Sequence, residues 1–251
     1  MPFVAVVIPA YRESARLPAL LEDLLREAKV APTPAAEFIV VDDGSDGAET
    51  ERERVATLEL ARRFKEEGSP HLARFVALPR NRGKGAAVRA GWHEADPSAI
   101  WLGLLDADGA VSAREAWRLI RTLERTKDVD VLAGSRLLMA GRHIQRRFLR
   151  HLQGRIFATL VENAFHLGFY DTQCGLKFFR GCLLRPLLGA LREERWLLDV
   201  EVLALLSWGG ARCREEPIDW CDPGGSKMIF CLDALRMITG LWRLRLRIGQ
   251  H

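Results

Sequence analysis

Apolar and polar positions along the chain follow two alternating periods. Residues 3–8 (Phe-Val-Ala-Val-Val-Ile) are an unbroken, β-branched apolar run, the pattern of a strand covered on both faces. Pro9-Ala10-Tyr11-Arg12-Glu13 ends that run. From Pro18, a residue suited to a first helical turn, Leu20, Leu21, Leu24, Leu25 and Ala28 recur at helical spacing. The unit then repeats: Phe38-Ile39-Val40-Val41 predicts a second strand ending in Asp42-Asp43-Gly44-Ser45, a charged helix follows over 49–66, and 74–78 predicts a third strand. The loop from Pro79 to Gly85 leads into a helix beginning Ala86-Ala87-Val88. Residues 100–105 predict a further strand, Ser112 or Ala113 opens the next helix, and Val129 to Gly134 predicts a strand closing into Ser135-Arg136. This alternation predicts an α/β fold with a Rossmann-like, mostly parallel sheet covered by helices on both faces. In such a sheet ligands bind at the C-terminal ends of the strands.

The later part of the chain has a different pattern. Residues 143–168 predict a long helical stretch in which Arg146 and Arg150, four apart, share a face. A polar break, Asp171-Thr172-Gln173-Cys174-Gly175, precedes Lys177, and Trp196 to Glu201 opens another helix. Asp199 and Glu201 near its start suit the positive end of the helix dipole. Residues 213–220 predict an edge strand, and Pro223-Gly224-Gly225-Ser226-Lys227 a flexible loop carrying a cation. From Met228 to Ile248 a helical projection puts Met237, Leu241, Leu244 and Ile248 on one face and Arg236, Arg243 and Arg247 on another. Such a helix either packs on its own domain or lies on an anionic membrane. The expected organisation is one domain over 1–227, with a C-terminal amphipathic helix over 228–251 that belongs to it or contacts a membrane.

A length of 251 residues fits a single α/β domain with a full core. The net charge of +4 is mild and its basic residues fall late, which suits phosphates or an anionic surface and argues against nucleic-acid binding. Five cysteines without CxxC pairing predict reduced thiols in the cytosol. Met1-Pro2-Phe3-Val4 enters a strand with no basic segment before it, so no signal peptide is expected. No apolar run approaches the ~20 residues that span a bilayer.

The chemistry gathers at strand ends. In Leu104-Leu105-Asp106-Ala107-Asp108-Gly109 two carboxylates one residue apart follow a buried strand, and residues i and i+2 share a side. Asp106 and Asp108 therefore offer hard oxygen donors to Mg²⁺ or Mn²⁺, whose other ligands are water and substrate phosphates. A solvated turn after a strand is the competing reading of Asp-x-Asp. Arg82-Gly83-Lys84-Gly85 permits close backbone approach ahead of a helix N-terminus, and the GxxxxGK[ST] spacing of a P-loop is absent.

As a set, Val7-Ile8-Pro9-Ala10-Tyr11-Arg12-Glu13, Val41-Asp42-Asp43-Gly44-Ser45, Arg82-Gly83-Lys84-Gly85, Asp106-Ala107-Asp108-Gly109, Gly134-Ser135-Arg136 and Gly225-Ser226-Lys227 resemble family 2 glycosyltransferases of the GT-A fold. Within them the chain is similar to the polyprenyl- or dolichyl-phosphate sugar synthases, relatives of dolichyl-phosphate mannose synthase. Asp171 to Lys177, Glu194-Arg195-Trp196, Asp199-Val200-Glu201 and Gln145-Arg146-Arg147-Phe148-Leu149-Arg150 most resemble the dolichyl-phosphate β-glucosyltransferase branch. Eukaryotic members of that branch carry an N-terminal membrane anchor and some bacterial relatives C-terminal spans; neither is expected here.

The resemblance implies inverting transfer of a hexose from a nucleotide diphosphate sugar to a polyprenyl phosphate, by an enzyme lying peripherally on the cytoplasmic, inner face of a membrane. It implies that the nucleotide lies over Pro9, Tyr11 and Glu13, with Asp42 or Asp43 accepting from a base N–H and Gly83 and Lys84 closing over it. Asp106 and Ala107 then flank the sugar nucleotide, and Asp106 with Asp108 holds Mg²⁺ or Mn²⁺. Arg136, Arg146, Arg150 and Lys227 become candidates for the acceptor phosphate, to which arginine offers a planar fork. Asp171 either orients the acceptor or acts as base, and Asp199 and Glu201 shape the sugar pocket. The glucosyl-type motif favours UDP-glucose. The same fold working on GDP-mannose or a soluble acceptor, and a catalytically silent nucleotide-sugar-binding module, are the alternatives.

Overall fold

Strands and helices alternate in the computed structural model, which describes residues 3–137, 139, 141–145, 148–222 and 230–249, and of residues 145, 148–153 and 230–238 the backbone only. In chain order the elements are β1 (Val4–Ala10), α1 (Leu17–Ala28), β2 (Ala36–Asp42), α2 (Gly47–Glu66), β3 (Leu72–Ala77), α3 (Lys84–Glu94), β4 (Trp101–Leu105), α4 (Ala113–Arg125), β5 (Val131–Ser135), β6 (Ile144–Gln145) and α5 (Phe148–Phe165). They continue with β7 (Leu176–Arg180), a short α6 (Gly181–Leu184) running into a 3₁₀ turn, α7 (Leu198–Trp208), β8 (Cys213–Pro217), β9 (Trp220–Cys221) and α8 (Phe230–Ile248). Helix starts follow local chemistry: Asp46 caps α2 by accepting from Glu49 N–H at 3.1 Å, and Ser112 caps α4 by accepting from Glu115 N–H at 3.3 Å.

The seven-stranded sheet runs in the order β3-β2-β1-β4-β7-β5-β8. It is mostly parallel, as the apolar runs predict, but β7 runs antiparallel to both β4 and β5. The sequence reading did not anticipate that strand, because Leu-Lys-Phe-Phe-Arg places a lysine inside an apolar run. The predicted edge strand over 213–220 divides into β8, which does edge the sheet, and β9, which pairs with β6 in a separate ladder. That pairing occupies residues the long helix was expected to include. Strand order reverses direction between β1 and β4, so their C-terminal ends open the crevice where such sheets bind ligands.

One face of the sheet packs Leu17, Leu24, Phe64 and Trp117 on Val6, Ile8 and Phe38, and the other packs Trp92, Leu203 and Leu244 on Val7, Leu102 and Leu104. On that second face, a Cβ at Gly91 would lie 2.5 Å from a Val7 methyl, so a residue without a side chain lets α3 lie this close to β1. Leu241, Leu244 and Ile248 of α8 are buried in the same cluster. The apolar face of α8 is therefore packed on the domain, while Arg236 and Met237 lie outside the described side chains. Cys174, Cys182 and Cys213 are free thiols.

Two buried ionisable groups carry large and opposite pKa shifts, His71 in the core and Glu53 behind the loop that follows β1. His71, between Phe64 and Trp117, accepts from Ala36 N–H through Nδ1 and contacts Thr33 Oγ1 through Nε2; burial lowers its pKa to about 4. Glu53, on α2, accepts from Glu13 N–H at 2.7 Å, and burial, with the charges of Asp42, Glu49 and Glu13, raises its pKa to about 7. Their linkages to folding are opposite in sign. Between pH 6.5 and 4 the unfolded chain takes up a proton that folded His71 refuses, so stability falls with pH. Between pH 7 and 4.5 folded Glu53 holds a proton that the unfolded chain releases, so stability rises as pH falls. Urea unfolding of wild type and Glu53→Gln at a series of pH values checks the second term. Wild type is expected to gain about 3 kcal/mol relative to the variant as pH falls through this window. A difference that does not change with pH would refute the assignment.

Candidate active site

The loops leaving β1, β2, β3 and β4 meet over the crevice. After Pro9 and Ala10, Arg12 takes a left-handed conformation (φ 54°), unusual for a residue with a side chain, and its N–H is held by Ser45 Oγ at 2.9 Å. The Tyr11 ring lies under the Arg12 guanidinium at 5.4 Å. Glu13 is gripped by Arg16, Nε to Oε2 at 2.7 Å and Nη2 to Oε1 at 2.6 Å.

At the end of β2, Asp42 accepts from Ser45 N–H at 3.0 Å and Thr50 Oγ1–H at 2.7 Å, closing the turn through Gly44. Asp43 accepts from the backbone N–H groups of Arg82 at 2.9 Å and Gly83 at 2.7 Å. Burial raises the Asp43 pKa against those two donors. Both aspartates thus brace the loop architecture around the crevice, Asp43 by clamping the glycine-rich loop from below.

Lys84, the first residue of α3, brings its Nζ to 2.6 Å from Asp106 Oδ1. Although burial opposes the ammonium charge, Asp106 and Asp199 hold it protonated well above the usual lysine range. Asp106 is also tied through its backbone, its N–H donating to Gly175 O at 2.9 Å, and Ala107 beside it is buried. Asp108 accepts from Ala110 N–H at 3.0 Å, and burial followed by the charge of Asp106 pushes its carboxyl above the usual range. Two neighbouring carboxylates that raise one another's energy, with a cation already drawn onto one of them, form a donor set that suits a divalent ion. Among the described residues no cluster of three or more acidic, histidine or cysteine side chains could hold a metal, so the remaining ligands would come from a substrate phosphate and water.

Beyond β5 lies a second charged pair. Arg136 forks onto Asp171, Nε to Oδ2 at 2.6 Å and Nη2 to Oδ1 at 2.7 Å, and its backbone N–H adds a third bond at 2.9 Å. Burial opposes the Asp171 charge, but the guanidinium outweighs it and holds the carboxyl down at about 2. Asp171 is therefore ionised at neutral pH, and its oxygens orient Arg136, whose guanidinium also lies 5.6 Å from the Trp220 ring. Of the other residues expected near an acceptor phosphate, Arg146, the Arg150 side chain and Lys227 lie outside the described residues.

Periodicity could not show the third pair, in which Lys177, wholly buried on β7, reaches Asp199 Oδ1 at 2.8 Å and donates to Cys174 O. Nor could it show the segment 192–197, which lies against the glycine-rich loop. Glu194 O accepts from Ala86 N–H at 3.0 Å, and the Trp196 ring lies 5.6 Å from Lys84 Nζ. Its only signal in the sequence was the Glu194-Arg195-Trp196 motif.

A crevice at the switch point of a mostly parallel sheet is thus floored by paired carboxylates and a lysine. Residues 5–180 match Glycosyl transferase family 2, and the chain belongs to that family. It is 29% identical to the dolichyl-phosphate beta-glucosyltransferase of Dictyostelium discoideum, over 98% of this chain and 74% of that protein. With the Saccharomyces cerevisiae enzyme of the same name it shares 31% identity, over 97% of this chain and 74% of that one. Among solved structures it is similar to glucosyl-3-phosphoglycerate synthase from Mycobacterium tuberculosis, crystallised with Mn²⁺, UDP-glucose and phosphoglyceric acid (TM-score 0.67, 16% identity, 97% of this chain and 79% of that one). It is also similar to a mannosyltransferase from Pyrobaculum calidifontis with GDP-mannose and Mn²⁺ (TM-score 0.58, 19% identity, 90% of this chain and 58% of that one).

Gly175 supplies a test of this geometry. A Cβ there would lie 2.2 Å from Asp106 Oδ2 and 2.9 Å from Asp106 Cβ, so the carboxylate must swing away and the backbone at 106 must shift slightly. Gly175→Ala is expected to fold and yet to lose about a hundredfold in transferase turnover, as misplacement of a reacting group by an ångström does. Turnover beside a thermal melt checks it, and a folded variant of wild-type activity would overturn the reading.

Proposed function

We propose that this glycosyltransferase moves glucose from UDP-glucose to a polyprenyl phosphate at a membrane surface, with inversion at the anomeric carbon. The observation that carries the reading is similarity over 96–98% of the chain to dolichyl-phosphate β-glucosyltransferases from several organisms, rather than over the nucleotide-binding half alone.

In this reading the nucleotide lies over Pro9, Tyr11 and Glu13, against the loop that Asp43 clamps, and Lys84 neutralises phosphate charge at the head of α3. Asp106 and Asp108 would hold Mg²⁺ or Mn²⁺, which supplies Lewis-acid stabilisation of the departing diphosphate. The acceptor phosphate is already anionic at neutral pH, so it needs positioning by cations more than deprotonation. Arg136, preset by Asp171, is the described residue suited to that task, with Arg146, Arg150 and Lys227 completing the anion site.

No helix of the described residues is long and apolar enough to cross a membrane. Contact with the bilayer is assigned to the outer side of α8, where Trp242 and Leu246 are exposed beside Arg243 and Arg245. Each such cation adds ~1 kcal/mol of attraction to an anionic surface. In this reading the enzyme lies peripherally on the cytoplasmic, inner face of the membrane.

Calorimetry with UDP and GDP in Mn²⁺, alongside mass spectrometry of products from a nucleotide-sugar panel and a short polyprenyl phosphate, tests the assignment. UDP is expected to bind more tightly and UDP-glucose to yield the glycolipid. Tighter GDP binding would reassign the donor, and transfer only to soluble acceptors would reject the lipid.

A further inference from the structure

Glu201, which the family resemblance places at the sugar pocket, is 1% exposed and holds three donors. Its carboxylate accepts from Arg192 N–H at 3.0 Å, Glu193 N–H at 2.9 Å and Arg247 Nη2 at 2.6 Å. Arg247 also reaches Glu193 Oε1 at 3.2 Å. A residue of the C-terminal helix and a residue of α7 thus jointly pin the start of the segment 192–197.

The other side of that segment is the back wall of the donor loop. A Cβ at Gly83 would lie 2.5 Å from Glu194 O and one at Gly85 would lie 2.7 Å from Arg195 O, so these glycines are required by the segment pressing on the loop. Ala86 N–H donates to Glu194 O at 3.0 Å, and Arg82 Nε donates to Glu194 Oε1 at 3.2 Å. The far end is seated too: Gln173 Nε2 donates to Trp196 O at 3.3 Å, and a Cβ at Gly240 of α8 would meet Leu197 Cδ1 at 2.5 Å.

From this chain of contacts we infer that Arg247 and Glu201 are positioning residues for the sugar-nucleotide site, acting through the segment 192–197 on Gly83, Lys84 and Gly85. The inference rests on the assignment of that loop to the nucleotide donor. It gives α8 a second task. The helix whose outer side carries Trp242 and Leu246 also buttresses the donor loop from its inner side, so the seating of α8 sets donor affinity. Removing either partner leaves a buried charge or two buried N–H groups unpaired, and the segment relaxes away from the loop.

The test compares Arg247→Gln, Arg247→Lys and Glu201→Gln with wild type. UDP affinity is read by calorimetry in Mn²⁺, KM is read separately for donor and acceptor, and thermal melts are run in parallel. A core variant on the opposite sheet face, Leu119→Ala, controls for lost stability alone. Arg247→Gln and Glu201→Gln are expected to weaken UDP binding and raise donor KM about tenfold, with kcat and acceptor KM within about twofold of wild type. Arg247→Lys should recover part of the loss, and Leu119→Ala should melt earlier with UDP affinity unchanged. If wild type binds UDP and both neutral variants bind it equally well, or if Leu119→Ala weakens UDP as much as they do, the positioning role is rejected. If wild type itself binds no UDP, the donor assignment falls first and this inference with it.

Discussion

Replacing Asp106 with asparagine is expected to slow hexose transfer by about a hundred- to a thousandfold while leaving the protein folded. The substitution preserves the shape of the loop, because the bond from the residue 106 N–H to Gly175 O belongs to the backbone. What it removes is the negative charge that faces Lys84 Nζ at 2.6 Å and that, with Asp108, suits a divalent ion. Asp108→Asn should behave similarly and melt near wild type, since it removes one of two mutually repelling carboxylates, whereas Asp106→Asn should melt lower while still folding, because Lys84 loses its countercharge. Single-turnover assays with radiolabelled UDP-glucose, with and without a chelator, read the effect. Near-normal turnover in either variant, with no response to chelator, would sink the metal assignment.

Lys177→Met is expected to cost about 3–5 kcal/mol of stability, the usual penalty for stripping the partner from a buried charge. Lys177 is wholly buried and Asp199 nearly so, 2.8 Å apart, and the ammonium also satisfies the Cys174 carbonyl. Removing the lysine leaves a carboxylate and a carbonyl without their cation in a dry site. The double variant Lys177→Met/Asp199→Leu should recover most of the loss, because two apolar side chains replace both charges. Urea denaturation of the two variants settles the stability claim, which fails if the single variant loses less than about 1 kcal/mol or the double is no more stable than the single.

Arg136→Ala belongs to the same class of experiment, but its reading is less clean. Asp171 would lose both the fork and part of its reason for being ionised, and the Trp220 ring its cation, so several contacts would change together. The Lys177 pair is the better isolated probe because its partners are few.

Much of the architecture was legible in the order of residues. Unbroken apolar runs at 3–8, 38–41 and 100–105 specify strands covered on both faces, and each ends at the polar cluster that lines the crevice. Helical spacing in 20–28 and the caps at Asp46 and Ser112 are local properties, set by backbone groups a few residues away, and periodicity reports them directly. The paired aspartates stood out in the sequence as Asp-x-Asp-Gly after an apolar run, but β4 ends at Leu105, so the turn beyond it, with Asp106 N–H held by Gly175 O, positions them rather than strand alternation.

What tertiary structure alone decided are the pairings across long sequence distances. A period shows which face is apolar, not which partner a charge will find. So the sequence could offer Asp42 or Asp43 as a contact for a nucleotide base, but only folding shows that the N–H groups of Arg82 and Gly83 reach Asp43's oxygens. It could draw Arg243 and Arg247 on one stripe of α8, whereas packing of Leu241, Leu244 and Ile248 turns Arg247 inward to Glu201. It could not place β7, because a strand with lysine at its second position reads as exposed until Asp199, from a helix 22 residues later, supplies the countercharge that makes burial affordable. Burial of a charged group is a property of the assembled surroundings, and those surroundings exist only once the sheet and its helices have closed around it.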